Sequence, residues 1–142
     1  MRFMIIRKAD AETEAELSPV ADEALLEAMG KYHEDLANAG ALLDGAGLQP
    51  SSKGARVKFS GGRPSVIDGP FAEAKELIAG YTIIQARSKE EAIEWVRRWP
   101  PLDGNGEVEI EIRQLYEMDD FGTGEAVSRM REIGLGGPGQ SG

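Results

Sequence analysis

An α+β domain, with an antiparallel sheet and both helices on one face, is the fold this sequence predicts. Three observations carry that reading. Glu107–Arg113 alternates strictly between charged and aliphatic residues, the pattern of a half-buried strand. Two other stretches place apolar residues at helical spacing, and the elements run strand, helix, strands, then strand, helix, strand. That repeated split unit is the ferredoxin-like order.

The first strand is Arg2-Phe3-Met4-Ile5-Ile6-Arg7-Lys8, apolar in the middle and charged at both ends. From Ser18-Pro19 to Ala39, Leu25, Met29, Tyr32 and Leu36 recur at helical spacing with Leu26 beside them, while Glu23, Glu27, Lys31 and Glu34 face away. Ser18 before Pro19 offers one helix start and Asp22 another, and Gly40 offers a left-handed stop. Ala41-Leu42-Leu43 opens a second strand. Arg56-Val57-Lys58-Phe59 alternates up to Gly61-Gly62, predicting a hairpin that returns through Ser65-Val66-Ile67 with its bases on one face and Val57 and Phe59 on the other. Ala79–Ala86 reads as a further strand. Ser88-Lys89-Glu90-Glu91 has the form of a capping box, so a helix is expected over 89–99, burying Ala92, Trp95, Val96 and Trp99 before Pro100-Pro101 ends it. Glu107–Arg113 closes the sheet, with register set by its alternation. Ile5 and Val108 are expected on the sheet face that the helices leave open. Residues 1–121 form the domain; in 122–142, Glu125–Ile133 has the spacing of a short helix through Val127, Met130 and Ile133, and the glycines beyond it read as a flexible tail.

Composition removes several chemistries. The 142 residues fit one domain, and 41% hydrophobic content is enough to bury a core. Without cysteine there is no disulfide framework, thiolate nucleophile or cysteine-bound zinc, and the single histidine excludes a multi-histidine metal site. Neither a metal nor a cofactor is expected. A net charge of -9 argues against general nucleic-acid binding. The apolar run Phe3–Ile6 is too short for a signal-peptide core or a membrane span, so the expected location is cytoplasmic, without a membrane partner.

Charge is unevenly spread. Residues 10–30 carry seven acids and no base, whereas 51–67 carry Lys53, Arg56, Lys58 and Arg63 and no acid. This basic island is either a solvated hairpin whose charges keep a strand edge from aggregating or a surface that recognises an anion. His33 sits at the edge of the buried helical stripe. It suits a general base, and equally a packing histidine with one nitrogen on a backbone carbonyl. Asp68, ahead of Gly69-Pro70, is placed either to form an Asx turn, with Phe71 anchoring the loop in the core, or to present a carboxylate to a pocket. Tyr32, Tyr81 and Tyr116 have the character of core aromatics with a polar end, and Trp95 and Trp99 share a helix face. Asp103-Gly104-Asn105-Gly106-Glu107 opens like a calcium loop but has Val108 where glycine is required and Gln114 where a bidentate glutamate is required. Gly122-Thr123-Gly124 lacks the rest of a dinucleotide fingerprint, and no nucleophile-elbow motif supports a serine triad.

The string Asp68-Gly69-Pro70-Phe71, continuing through Ala72–Tyr81, with Gly54-Ala55-Arg56-Val57 before it and Ser88–Trp95 after it, resembles the signature of the DGPF branch of the YCII-related family. The resemblance covers residues 1–121. It implies a homodimer in which two sheets pack against each other as a dimeric α+β barrel. Shorter members of the family use a histidine on the first helix together with an aspartate, which this chain would supply as His33 and Asp68, with His33 about one turn from the aligned position. Related dimeric α+β barrels include isomerases and dehalogenases of small lactones. The resemblance therefore implies cofactor-free proton transfer on a small anionic molecule, with His33 accepting the proton and Asp68 orienting it or binding substrate. Arg56, Lys58, Arg63, Phe71 and Tyr81 are the candidate ligand contacts. The family's genomic association with extracytoplasmic-function sigma factors implies the alternative, a noncatalytic regulatory or ligand-sensing module.

Overall fold

The computed structural model describes residues 1–15 and 22–137. Strand β1 (Arg2–Lys8) sets the layering: Phe3, Ile5 and Arg7 are buried on one face, and Met4, Ile6 and Lys8 are half-buried on the other. An aspartate N-cap and one helical turn, α1 (Ala11–Glu14), follow; a single turn is too short to show in the apolar periodicity. Helix α2 (Glu23–Asn38) is capped by the Asp22 side chain, which accepts from the Leu25 amide at 3.0 Å; the alternative start at Ser18-Pro19 lies outside the described residues. The helix ends in a Schellman arrangement. Gly40, at φ 73°, turns the chain so that the Ala41 amide reaches the Leu36 carbonyl at 2.9 Å and the Gly40 amide reaches Ala37 at 3.0 Å.

Strand β2 (Leu42–Gly47) leads into the hairpin formed by β3 (Ala55–Ser60) and β4 (Arg63–Asp68). Gly61 and Gly62, with φ of 58° and 78°, supply its two-residue turn. Strand β5 (Ile78–Gln85), helix α3 (Lys89–Val96), strand β6 (Ile110–Gln114) and helix α4 (Glu125–Glu132) complete the chain. The antiparallel sheet has the order β2-β5-β1-β6, with the first strand of each split unit inside, which is the ferredoxin-like arrangement. Tyr32 and Leu36 from α2 and Ala92 from α3 pack on Phe3, Ile5 and Ile84, so both long helices cover the same sheet face.

Three expectations change. Ile5 is 1% exposed and lies under the helices, between Thr82 and Ile112, while Val108 precedes β6; the face left open carries Met4, Ile6 and Ile83 instead. Alternation separates two faces but does not say which one the helices choose. Helix α3 also ends earlier than expected, at Val96, where the amides of Arg98 and Trp99 close tighter turns onto Trp95 and Val96. Ser88 caps it through the Glu91 amide at 3.1 Å, but the Glu91 carboxylate pairs with Arg87.

The hairpin shares no ladder with the four-stranded sheet, and every residue of both its strands is exposed. Val57 faces Val66 and Phe59 faces Pro64 on one side, and Arg56 and Lys58 lie on the other. Its base is tied down. The Glu14 carboxylate accepts from the Ser51 amide at 3.1 Å and from the Ser51 hydroxyl, Ser51 Oγ accepts from the Phe71 amide at 3.0 Å, and the Gly69 amide donates to the Gly54 carbonyl at 3.0 Å.

Candidate functional site

Residues Leu25, Leu26, Met29 and His33 fall on the side of α2 that overlooks β2 and β5, and the space between them is a wide, open cleft of about 680 Å³. Leu42–Gly47 and Ala79–Thr82 form the opposite wall, and Arg7, Trp99 and Asp103 form the floor. Gly80 lets the two strands close at that wall, since a β-carbon there would sit 3.0 Å from the Ala46 carbonyl oxygen. The walls are mainly aliphatic and polar groups are few, the usual make-up of a small-molecule site.

His33 is the most versatile of those polar groups. Its Nδ1 lies 2.8 Å from the Met29 carbonyl oxygen and its Nε2 lies 2.8 Å from Thr82 Oγ1. A carbonyl can only accept, so in the neutral ring Nδ1 carries the proton and Nε2 offers its lone pair to the Thr82 hydroxyl. Thr82 is itself buried, so its hydroxyl depends on that bond.

The floor is an ionic network. Arg7 Nε and Nη2 donate to Asp103 at 3.0 and 2.7 Å, Arg7 Nη1 donates to Asp10 at 2.9 Å and to the Lys8 carbonyl at 2.7 Å, and Trp99 Nε1 donates to Asp103 at 2.9 Å. Burial alone pushes the Asp103 carboxyl up, but the hydrogen bonds from Arg7 and Trp99 outweigh it and hold the group below the usual carboxylate range. Bonding to Asp103 likewise raises the Arg7 guanidinium. Beside the cleft, the Tyr32 hydroxyl donates to the Trp95 carbonyl at 2.8 Å, and burial pushes its phenol up to about 12.

The residues singled out from sequence divide into two groups. His33 and Tyr81 border the cleft. Asp68, Arg56, Lys58, Arg63 and Phe71 do not: Asp68 is exposed at the end of β4, where its carboxylate makes no hydrogen bond or ion pair among the described residues, so neither the Asx turn nor a contact with His33 is formed. Phe71 is half-buried and, instead of entering the core, lies under the Arg56 guanidinium at 3.9 Å. Arg7, Thr82 and Asp103 are cleft residues to which sequence reading gave no role in a site. Arg7 had a signal, since it continues the buried alternation of Phe3 and Ile5 and so places a charge on an inward face.

No group of three or more acidic or histidine side chains among the described residues is placed to hold a metal, and no helix among them is long and apolar enough to cross a membrane. The YCII-related domain matches this chain over residues 1–119. The chain belongs to the YCII-related family. A YCII-related relative, an uncharacterized protein of Rhizobium meliloti (strain 1021), is 30% identical over 118 residues, covering 82% of this chain and 95% of its own length. Among solved structures, the domain is similar to 5-chloro-2-hydroxyhydroquinone dehydrochlorinase of Burkholderia phenoliruptrix AC1100 in complex with 2,5-dihydroxybenzoquinone. That match has 13% identity and a TM-score of 0.44 over 82% of this chain and 95% of that one. So distant a likeness carries neither substrate nor mechanism to this YCII-related domain.

Proposed function

We propose that residues 1–121 form a cytoplasmic, homodimeric domain that binds a small molecule in the α2 cleft and carries out cofactor-free acid/base chemistry there, with His33 as proton acceptor. The observation that supports this is the fixed tautomer of His33: Met29 occupies Nδ1, so the basic Nε2 is directed at the Thr82 hydroxyl on the cleft wall. A ligand proton taken by Thr82 Oγ would release the hydroxyl's own proton to Nε2, giving an imidazolium whose two N–H groups both keep acceptors. The dimer is supported by the apolar residues Met4, Ile6 and Ile83 on the open sheet face.

A second reading, binding without turnover, is favoured by the same contacts. Both His33 nitrogens are already engaged, and neither partner is a carboxylate. A thermal-shift screen of small hydroxy-acids and lactones tests the cleft, because a ligand at about 100 times its Kd adds about 2.7 kcal/mol of stability. Stabilisation in the natural protein and its loss in Leu26→Glu are expected, and the absence of any shift across the screen overturns the ligand site. For the compounds that bind, NMR should show conversion in the natural protein and none in His33→Ala; binding without conversion leaves the sensor reading in place.

A further inference from the structure

Across the β2–β5 ladder from Thr82 stands Gly45. Directly paired residues of an antiparallel ladder point to the same face, so a side chain at Gly45 would enter the cleft beside the Thr82 hydroxyl. The backbone there does not call for glycine, because its φ lies outside the left-handed region. A β-carbon would meet only ordinary contacts, 3.4 Å to the Tyr81 carbonyl oxygen and 3.7 Å to Thr82 Cα and Oγ1. The missing side chain therefore leaves an empty seat at van der Waals distance from Oγ1.

What that seat can hold follows from the direction of the hydrogen bonds behind it. Met29 fixes the His33 proton on Nδ1, so Nε2 accepts and the Thr82 hydroxyl must donate to it. The hydroxyl's one proton is thereby committed. Its remaining lone pair meets no donor among the described residues, although Thr82 is only 3% exposed. A group in the seat can bond to Oγ1 only by donating to it. The one cation of the lining points the same way: Arg7 makes four hydrogen bonds, three of them to the carboxylates of Asp103 and Asp10. Its charge is already matched, so a ligand carboxylate would find no free cation there.

We infer that the cleft takes an uncharged molecule with an apolar body and a hydroxyl group, that the hydroxyl sits in the space left by Gly45 and donates to Thr82 Oγ1, and that Gly45 selects for it. The apolar body would lie against Leu25, Leu26 and Met29. An ammonium also donates, but the atoms around the seat are a carbonyl oxygen and a neutral hydroxyl, which leave its charge unpaired. The inference rests on the α2 cleft being the ligand site, as proposed above, and narrows it by excluding the anionic molecules that the family resemblance implies.

Three probes of similar shape separate the cases: cyclohexanol, cyclohexyl methyl ether and cyclohexanecarboxylate. Each is titrated into the natural protein while the Gly45 and Thr82 amides and the His33 ring are followed by NMR. Cyclohexanol should move all three signals and bind about fivefold tighter than the ether, which cannot donate. The carboxylate should bind about tenfold more weakly than cyclohexanol or worse. In Gly45→Ala the new methyl fills the seat without a clash, so cyclohexanol binding should fall about tenfold while the thermal midpoint and the Nδ1–H form of His33 stay as in the natural protein. Equal binding of alcohol and ether, preference for the carboxylate, or undiminished binding to Gly45→Ala overturns the inference. Silence from all three probes in a protein that responds to the thermal-shift screen overturns it too, and leaves the ligand site standing. Selective binding of cyclohexanol in a protein that converts none of the compounds it binds keeps the seat and removes only the acid/base reading.

Discussion

Arg7 grips Asp103 across 96 residues of chain, with Nε and Nη2 each donating to a different carboxylate oxygen at 3.0 and 2.7 Å. Both residues are buried, at 8% and 7% exposure, so each charge relies on the other for the hydration it has lost. Asp103→Ala leaves the guanidinium with Asp10 as its one carboxylate partner, beside the Lys8 carbonyl, and should cost about 3–5 kcal/mol in urea unfolding. The sign of the pH dependence follows from the lowered carboxyl: the unfolded chain takes up the proton first as pH falls. The stabilisation is therefore complete above the ordinary carboxylate pKa and is lost as pH drops through the lower, folded value. A natural protein whose stability stayed flat from pH 6 into the acid range would contradict this.

The signature turn should be governed by its glycine more than by its aspartate. A β-carbon at Gly69 would fall 1.7 Å from the Ser51 carbonyl oxygen, and that atom is backbone that cannot step aside. Gly69→Ala is expected to cost about 1–3 kcal/mol by overpacking. Asp68→Ala, at an exposed carboxylate without a hydrogen bond, should stay within about 0.5 kcal/mol. Denaturant melts of the two variants decide the order, and a larger loss at Asp68 would mean that its carboxylate has a partner in the assembled protein.

His33 should be an Nδ1–H tautomer when neutral. Its single imidazole makes the test direct, because the nitrogen shifts of one ring report which atom is protonated. Thr82→Val removes the hydroxyl at Nε2, leaves Met29 at Nδ1, and should cost about 1 kcal/mol while the tautomer is retained. Observation of an Nε2–H ring would dismantle the proton route proposed through Thr82.

Tyr32 should be the tyrosine that resists alkali. Burial pushes its phenol up to about 12, so between roughly pH 10 and 12 the unfolded chain ionises while the folded one does not, and stability falls across that window. Spectrophotometric titration should show a late step that disappears in Tyr32→Phe, a change that also loses the bond to the Trp95 carbonyl and about 1 kcal/mol.

What the sequence disclosed was local. The Gly61-Gly62 turn, the Asp22 and Ser88 caps and the Gly40 stop each depend on residues within a few positions of one another, and each could be read from spacing. The cleft could be read only in part, since His33 announces itself by residue type whereas its partner Thr82 is 49 positions away. Asp103 invited comparison with a calcium loop because its true partner, Arg7, is distant in sequence and no local pattern links them. Which sheet face the helices cover was likewise beyond periodicity, which is why Ile5 lies under the helices and not on the open face.

The four-stranded ladder closes without β3 or β4, and the segment between Gly54 and Gly69 leaves and returns at a single bonded junction. The excursion can therefore vary in length and side chains while the scaffold beneath stays intact. About a dozen exposed residues of β3 and β4 are thus open to substitution at little cost to the core beneath them.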